Sequence, residues 1–147
     1  MNPFDIKAAL TAKHAQHVVL IHFPIALFLC GTFFDVLAYR TKKATLAAAA
    51  YYNLIIAAVM SVPVVVTGLL AWQLQLEGQK LKGVLLQHLL LALVSTLLIW
   101  LAWWIHFRAL RAQRPLPVYR LGVELAGAAV IGLTAHLGGF LSGVNLP

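Results

Sequence analysis

Histidines are the residues of this chain whose type and spacing could do chemistry. His14, His17 and His22 stand where an apolar run begins, in the stretch KHAQHVVLIHFPIALF. His88 stands near the start of a later apolar run, and His136 stands near the end of the last one. Imidazole nitrogens bind haem iron, zinc and copper, and an ionisable side chain inside an apolar segment indicates function. The histidines therefore predict a cofactor or metal site.

The composition indicates what surrounds these histidines. Of the 147 residues, 62% are hydrophobic and 10% are charged, and the mean hydropathy is +0.89. A water-soluble domain of this size cannot bury so much apolar surface, so the lipid bilayer is the predicted surrounding. The formal net charge is +7, but no basic run is interleaved with aromatic residues, and we exclude nucleic acid as a partner.

Four apolar segments are each long enough to cross a bilayer as a helix, which takes about 20 residues. The sequence therefore predicts an all-α membrane protein, a four-transmembrane-helix bundle that forms one domain over residues 1–147. A short N-terminal interfacial helix is expected before the first span, with Asn2 as its N-cap and Pro3 as its first residue. The predicted spans cover about 18–39, 46–74, 84–107 and 121–143.

Basic residues are distributed unevenly between the two ends of the predicted bundle. Four crossings place both termini at one end, which carries four basic residues: Lys7, Lys13, Lys80 and Lys82. The other end carries seven: Arg40, Lys42, Lys43, Arg108, Arg111, Arg114 and Arg120. Short loops rich in Lys and Arg stay in the cytoplasm. We therefore expect a multi-pass protein of the bacterial inner (plasma) membrane, with both termini periplasmic or extracellular.

The predicted helices bring three histidines to a similar depth. His22 and His88 each lie about one turn into a span from the end that carries the termini, and His136 lies about two turns from it. His17 lies just above them. This convergence, on three different helices, favours a shared ligand or metal.

A b-type haem could be bound by histidines arranged in this way. Bis-imidazole haem sites in helix bundles need two histidines on facing helices, small residues beside the ring, and cations for the propionates. We predict His22 and His88 as the axial pair, with His136 as a substitute or a neighbour. The predicted protein is then an electron carrier, or a subunit of a larger complex, rather than a stand-alone enzyme. Gly132 is expected beside the ring, and Lys80 and Lys82 beside the propionates.

Two alternatives stay open. His17, His22, His88 and His136 could form an all-nitrogen site for zinc or copper. The histidines could instead bind no cofactor, in an accessory subunit of a membrane complex. A redox partner, a larger membrane complex and a homo-oligomer all remain open as the protein partner. No Ser or Cys lies beside the histidines to support nucleophilic catalysis.

The other ionisable residues of the spans are interpreted as structural. Asp35 and Glu124 lie near the end with seven basic residues, within reach of Arg40 and Arg120, and ion pairs are expected there. His106 has no second histidine at its depth and is assigned to a belt of neighbouring arginines.

The chain also resembles a known family. HAQHVVLIHFPIALFLCGTFFDVL resembles the N-terminal signature of the membrane proteins called domain of unknown function 2231, roughly His-Pro-x-His-Pro-x-x-x-His-Phe-Pro-Ile-Ala-Leu with a later acidic residue. TGLLAW is similar to that family's Thr-Gly-Leu-x-Asp-Trp, with Ala71 in place of the Asp. The resemblance implies a membrane protein over nearly the whole chain and no particular biochemistry. The matching residues are His14, His17, His22, Phe23, Pro24, Asp35, His88 and Gly138–Gly139.

Overall fold

Four long helices make up the part of the chain that the computed structural model describes, residues 15–143. We number them α1 (Ala15–Thr41), α2 (Ala44–Gln75), α3 (Gly83–Arg111) and α4 (Tyr119–Leu141). All four are long and apolar enough to span a membrane. Helix is the expected form in hydrocarbon, because it satisfies every backbone N–H and C=O within one segment. The prediction of an all-α bundle with four spans is confirmed.

The helix bounds differ from the predicted spans by a few residues. Helices α1, α2 and α3 extend beyond the apolar segments at both ends, whereas α4 begins and ends two residues earlier than predicted. The predicted interfacial helix and His14 lie outside the described residues.

The turn between α1 and α2 takes only two residues. Lys42 has φ 57°, in the left-handed region, and its N–H donates to the Ala38 carbonyl at 2.8 Å. This is a common way to end a helix, because the reversed backbone satisfies a carbonyl of the last turn. The short turn makes α1 and α2 an antiparallel hairpin.

The bundle consists of two hairpins. The most extensive helix contacts are those between α1 and α2, followed by those between α3 and α4, and smaller contacts join α2 to α3 and α1 to α4. Small residues allow the close approaches. A Cβ built on Gly31 would lie 3.1 Å from Leu54, and one built on Gly127 would lie 2.8 Å from Cζ of Phe28. Helices in lipid associate through such close packing.

The buried core lies between the helices near mid-membrane, and it combines alanines with a few larger apolar residues. Its members are Phe28, Leu54, Ala57, Ala58, Ile99, Ala102 and Ile131. Large apolar side chains also cover the outside of the bundle, for example Leu97 at 69% exposure. An apolar outer surface is what contact with lipid requires.

Antiparallel packing gives the bundle two chemically different ends. At the terminal end, α1 and α3 begin and α2 and α4 end; His17 of α1 contacts Thr67 of α2 there. At the basic end, α1 and α3 end and α2 and α4 begin; Asp35 of α1 contacts Arg120 of α4 there. We use these two names below.

Candidate metal-binding site

Four ionisable side chains are buried together at the basic end. Asp35 of α1, His106 of α3, and Arg120 and Glu124 of α4 are between 0% and 4% exposed. We call them the quartet. Removing one charge from water costs several kcal/mol unless other charges and hydrogen bonds compensate it. The contacts within the quartet must therefore provide that compensation.

Arg120 and Asp35 form a two-pronged ion pair. Nε of Arg120 donates to Oδ2 of Asp35 at 2.6 Å, and Nη2 donates to Oδ1 at 3.1 Å. Nη1 donates to the carbonyls of Pro117 at 3.0 Å and Leu116 at 3.4 Å. The planar guanidinium fits a carboxylate in this geometry and fixes its orientation. The predicted ion pair of Asp35 with an arginine is confirmed, and the partner is Arg120.

His106 pairs with a carboxylate. Its Nε2 lies 2.9 Å from Oε1 of Glu124 and 3.7 Å from Oδ2 of Asp35. The assignment of His106 to an arginine belt was wrong, because its ring is 2% exposed and faces the bundle interior. In this position the imidazole ring faces two carboxylates, which accept hydrogen bonds. An arginine-rich surface would offer the ring only donors.

The quartet has the donors of a metal site. Asp35, His106 and Glu124 each offer one ligand atom, and these atoms all lie within 4.8 Å of one another. Two donors bound at about 2.1 Å in a tetrahedron lie about 3.4 Å apart, between the 2.9 Å of the His106–Glu124 contact and the 3.7 Å of the His106–Asp35 contact. Carboxylate oxygens with one imidazole suit first-row divalent ions such as manganese, iron and zinc. The group could therefore hold a metal ion.

Three buried polar atoms around the quartet have no hydrogen-bond partner within the described part of the chain. They are Oε2 of Glu124, Oγ1 of Thr32 and Nε1 of Trp103. Thr32 and Trp103 each lie one helical turn from Asp35 and His106, on the same helix faces. Unpartnered buried polar groups are rare and indicate an ordered water or an ion. Glu124 in particular has a carboxylate oxygen available for a cation.

An open cleft of about 270 Å³ reaches the quartet from the basic end. Asp35 and Arg120 line it together with Tyr39, Lys42 and Lys43. Nζ of Lys42 lies 4.4 Å from the centre of the Tyr39 ring, and the Arg120 guanidinium lies 5.8 Å from it. The cleft therefore opens one edge of the quartet toward the turn between α1 and α2.

Two histidines of the terminal end are half-buried against the other helix of their own hairpin. Nδ1 of His17 lies 3.1 Å from Oγ1 of Thr67, and Nδ1 of His88 lies 3.0 Å from the Thr134 carbonyl. Glycines make room for both rings. A Cβ on Gly68 would lie 3.0 Å from Cε1 of His17, and one on Gly138 would lie 3.2 Å from Cε1 of His88.

The hydrogen bond of His88 defines which of its ring nitrogens carries the proton. Nδ1 of His88 must donate, because the Thr134 carbonyl can only accept. In the neutral ring, Nε2 of His88 therefore keeps its lone pair, and this is the tautomer in which Nε2 serves as a metal ligand. The contact of His17 with the Thr67 hydroxyl fits either tautomer, because a hydroxyl can donate or accept.

The other two predicted ligands of the terminal end are exposed. Nδ1 of His22 lies 2.7 Å from the Val18 carbonyl of its own helix. His136 packs edge-on against Phe140, with ring centres 5.0 Å apart. The described contacts of His88 include the Thr134 carbonyl, but they do not include His22. The His22–His88 axial pair stays a prediction.

The remaining predicted haem contacts also lie at exposed positions. Gly132 is exposed, and a Cβ built on it would meet no atom within 4 Å. Lys80 and Lys82 lie between α2 and α3 and are exposed. The roles of Gly132, Lys80 and Lys82 beside a haem stay predictions.

The four apolar helices and the buried charges within them define an integral membrane protein with a candidate cation site. The chain belongs to the family described as predicted membrane protein (DUF2231), whose model matches residues 13–144. This confirms the resemblance noted in the sequence. No curated protein and no solved structure gives a significant match.

His106 and Glu124 were missed as a pair, although a signal for it was present. Asp35 and His106 precede the ends of their helices by six and five residues, and Glu124 follows the first residue of α4 by five. In an antiparallel bundle these spacings place all three at one depth. The partners of His106 at that depth are therefore carboxylates rather than a second histidine.

Proposed function

We propose that the protein is a metal-binding membrane protein whose ion is bound by Asp35, His106 and Glu124. The observation that supports this most is the buried donor set, with all three ligand atoms within 4.8 Å of one another. Arg120 holds Asp35 in orientation through two hydrogen bonds. Carboxylates that bind metals are typically oriented by hydrogen bonds of this kind from neighbouring side chains.

The donor set defines the class of ion. Two carboxylates and one imidazole without thiolate favour a first-row divalent ion over copper(I) or an iron–sulfur cluster. When bound, such an ion would polarise a ligand in any open coordination position. His106, Asp35 and Glu124 supply the three protein ligands.

Metal analysis tests this proposal. Protein purified in detergent and stripped with a chelator is titrated with Zn²⁺ and, separately, Mn²⁺, and bound metal is measured by mass spectrometry. We expect about one ion per chain in the wild type and a large loss in His106→Ala. His22→Ala is the matched control, because it removes an exposed histidine. A wild type that binds no ion, or a His106→Ala protein that binds as well as the control, contradicts the proposal.

We propose haem binding at the terminal end as a second candidate function, with electron transfer as its role. The supporting observation is that the hydrogen bond of His88 to the Thr134 carbonyl leaves its Nε2 available, and that His17 makes its hydrogen bond through Nδ1 as well. The rings come from different hairpins, His17 from α1 and His88 from α3. A redox partner, a larger complex or a homo-oligomer would then supply or receive the electron. The predicted ligands His22 and His136 compete with His17 in this proposal.

An absorption spectrum tests the haem proposal. Protein from haem-replete cells is measured oxidised and then reduced, and His17→Ala, His88→Ala and His22→Ala are compared. We expect a b-type spectrum that is lost or shifted in His88→Ala and in whichever partner variant removes the second axial ligand. The absence of a Soret band in the wild type contradicts haem binding and leaves the metal proposal intact.

We also propose that the terminal end faces the periplasm or the outside of a bacterial inner membrane. The support is the excess of Lys and Arg at the basic end. Single cysteines are placed at the exposed positions Gln79 and Ala112 in a Cys30→Ser background. A membrane-impermeant thiol reagent added to intact cells should label residue 79 and not residue 112. The reverse pattern overturns the orientation.

A further inference from the structure

Positive charge at the basic end exceeds the carboxylates that lie there. That end carries seven Lys and Arg side chains, and the whole chain has four acidic residues. Asp35 and Glu124 are buried in the quartet, and Glu77 lies in the turn between α2 and α3 at the terminal end. Asp5 lies outside the described residues. Within residues 15–143, the exposed cations of the basic end therefore have no carboxylate partner.

Two of these cations line the cleft beside the quartet. Lys42 and Lys43 form the turn between α1 and α2, and both side chains are exposed. Nζ of Lys42 lies 4.4 Å from the centre of the Tyr39 ring. This cation–π contact orients the ammonium group, which keeps N–H donors for an anion. The cleft therefore presents two positive charges on its wall.

The carboxylate that lines the cleft does not cancel these charges. Arg120 donates to both oxygens of Asp35, at 2.6 Å and 3.1 Å. The Arg120–Asp35 pair is neutral as a unit, so the lining of the cleft keeps the two charges of Lys42 and Lys43. An anion in the cleft would be attracted by both lysines, while Asp35 stays paired with Arg120.

The first turn of α2 adds to this attraction. Ala44 and Ala47 of that turn line the cleft, and the first N–H groups of a helix have no partner within it. Lys43 stands at the N-cap and makes no side-chain capping hydrogen bond, and the first turn holds no acidic residue. The N–H groups and the positive end of the helix dipole favour an anion. The helix end thus reinforces the two lysines.

The cleft lies at the depth of lipid headgroups. Helix α1 has 27 residues and is about 40 Å long at about 1.5 Å per residue. A bilayer with its headgroups is about 40–45 Å thick, so the two-residue turn after α1 reaches the headgroup layer. The cleft volume is about 270 Å³, slightly below the about 300–1,000 Å³ of pockets for small molecules. It fits one headgroup rather than a whole lipid.

We propose that this cleft binds the phosphate group of an anionic phospholipid through Lys42 and Lys43. The inference goes beyond the proposed metal-binding function and does not depend on it. Phosphate oxygens accept hydrogen bonds from the two ammonium groups and from N–H groups of α2. A free phosphate ion has the same chemistry, but acyl chains concentrate a lipid at this depth. A zwitterionic headgroup is disfavoured, because its own ammonium group would meet the two lysines.

Binding of defined lipids tests this inference. Delipidated protein in a nonionic detergent is mixed with phosphatidylglycerol or phosphatidylcholine, and native mass spectrometry counts the lipids bound per chain. We expect one phosphatidylglycerol that binds more tightly than phosphatidylcholine. Lys42→Gln/Lys43→Gln should weaken it about fivefold for each lysine, or about 25-fold in total. Lys42→Arg/Lys43→Arg keeps both charges and should keep the affinity.

The matched control is Arg108→Gln/Arg111→Gln. It removes two exposed cations of the same end from α3, a helix that does not line the cleft, and it should keep the wild-type affinity. Equal weakening in the two glutamine variants would mean that the basic end attracts anionic lipid as a whole, which overturns the site. Equal binding of the two lipids by the wild type also overturns it, even if a variant fails to fold.

Equilibrium dialysis against radiolabelled inorganic phosphate separates the two sources of the phosphate group. We expect phosphatidylglycerol to bind and free phosphate not to displace it. If inorganic phosphate bound the wild type but not Lys42→Gln/Lys43→Gln, and no phosphatidylglycerol bound, the free ion would replace the lipid as the occupant. Binding of neither overturns the proposal and leaves the metal site untouched.

Discussion

The two ends of the bundle differ in the partners that stabilise their buried polar side chains. At the terminal end, His17 and His88 are half-buried, and each bonds to an uncharged group of Thr67 or Thr134 in its own hairpin. At the basic end, charged side chains are almost completely buried, and Asp35 of the first hairpin bonds to Arg120 of the second. A neutral imidazole needs one partner, and the adjacent helix provides it. A buried charge needs an opposite charge, and for Asp35 that charge lies on the other hairpin.

The quartet therefore has a structural consequence. Helices α1 and α4 share a far less extensive contact than the helices within each hairpin, yet the Arg120–Asp35 ion pair joins them. Orientation of the two hairpins depends on the quartet more than on the terminal histidines. The following substitutions test this difference.

Asp35→Ala should have the largest effect. It leaves Arg120 buried without its counter-charge, and removal of one partner of a buried pair costs about 3–5 kcal/mol. Unfolding in detergent by denaturant titration measures the free energy. The double variant Asp35→Ala/Arg120→Ala should recover part of the loss, because no unpaired arginine remains. If Asp35→Ala lowered the free energy of unfolding by less than about 1 kcal/mol, water would be hydrating the charge of Arg120 in place of Asp35.

Added metal should stabilise the basic end. At a free Zn²⁺ concentration 100 times the Kd, a ligand that binds only the folded protein raises the free energy of unfolding by about 2.7 kcal/mol. We expect this shift in the wild type and in His88→Ala, but not in His106→Ala at the same Zn²⁺ concentration. Equal shifts in all three proteins would place the ion elsewhere.

The two glycines of α4 near the core should respond differently to alanine. Gly127→Ala puts a Cβ 2.8 Å from Cζ of Phe28, which is fully buried, and such overpacking costs about 1–3 kcal/mol. Gly132→Ala meets no atom within 4 Å and should stay within about 0.5 kcal/mol of the wild type. Thermal unfolding of both variants measures the difference. Equal destabilisation would indicate that another chain covers Gly132.

Among single histidine changes at the terminal end, we expect the smallest effects. His88→Ala removes the hydrogen bond to Thr134, worth about 0.5–1.5 kcal/mol. His22→Ala removes an exposed ring bonded to its own helix and should cost less than His88→Ala. Both are measured by the same unfolding titration. A larger loss in His22→Ala would support its role as a ligand, since a bound cofactor would then be lost.

Part of the set of residues that make contacts between helices could be predicted from the sequence. His17, Asp35 and Gly138 carry the family resemblance, and each takes part in a contact between helices. Thr67 and Gly68 open TGLLAW and contact His17. The resemblance identified residues that pack or pair, but it did not say which residues meet.

His106 and Glu124 show where sequence reasoning stopped. Their depth could be read from the ends of the apolar segments. Their rotation about the helix axes could not, because these helices are apolar on nearly all sides. In a water-soluble protein, the apolar stripe of an amphipathic helix identifies its buried face. In lipid both the outer face and the buried face of a helix are apolar, so the sequence shows no such stripe.

What the sequence by itself determined is the class of protein and the number of spans. Four apolar segments of sufficient length must be helices in lipid. A helix is the only form in which one segment satisfies all its backbone N–H and C=O groups by its own hydrogen bonds. Only the tertiary structure decided which faces point inward. It turned His22 outward and placed His106 between Asp35 and Glu124. The physical reason is that close packing at Gly31 and Gly127 and the pairing of buried charges select the helix rotations, and both depend on contacts between residues far apart in the chain.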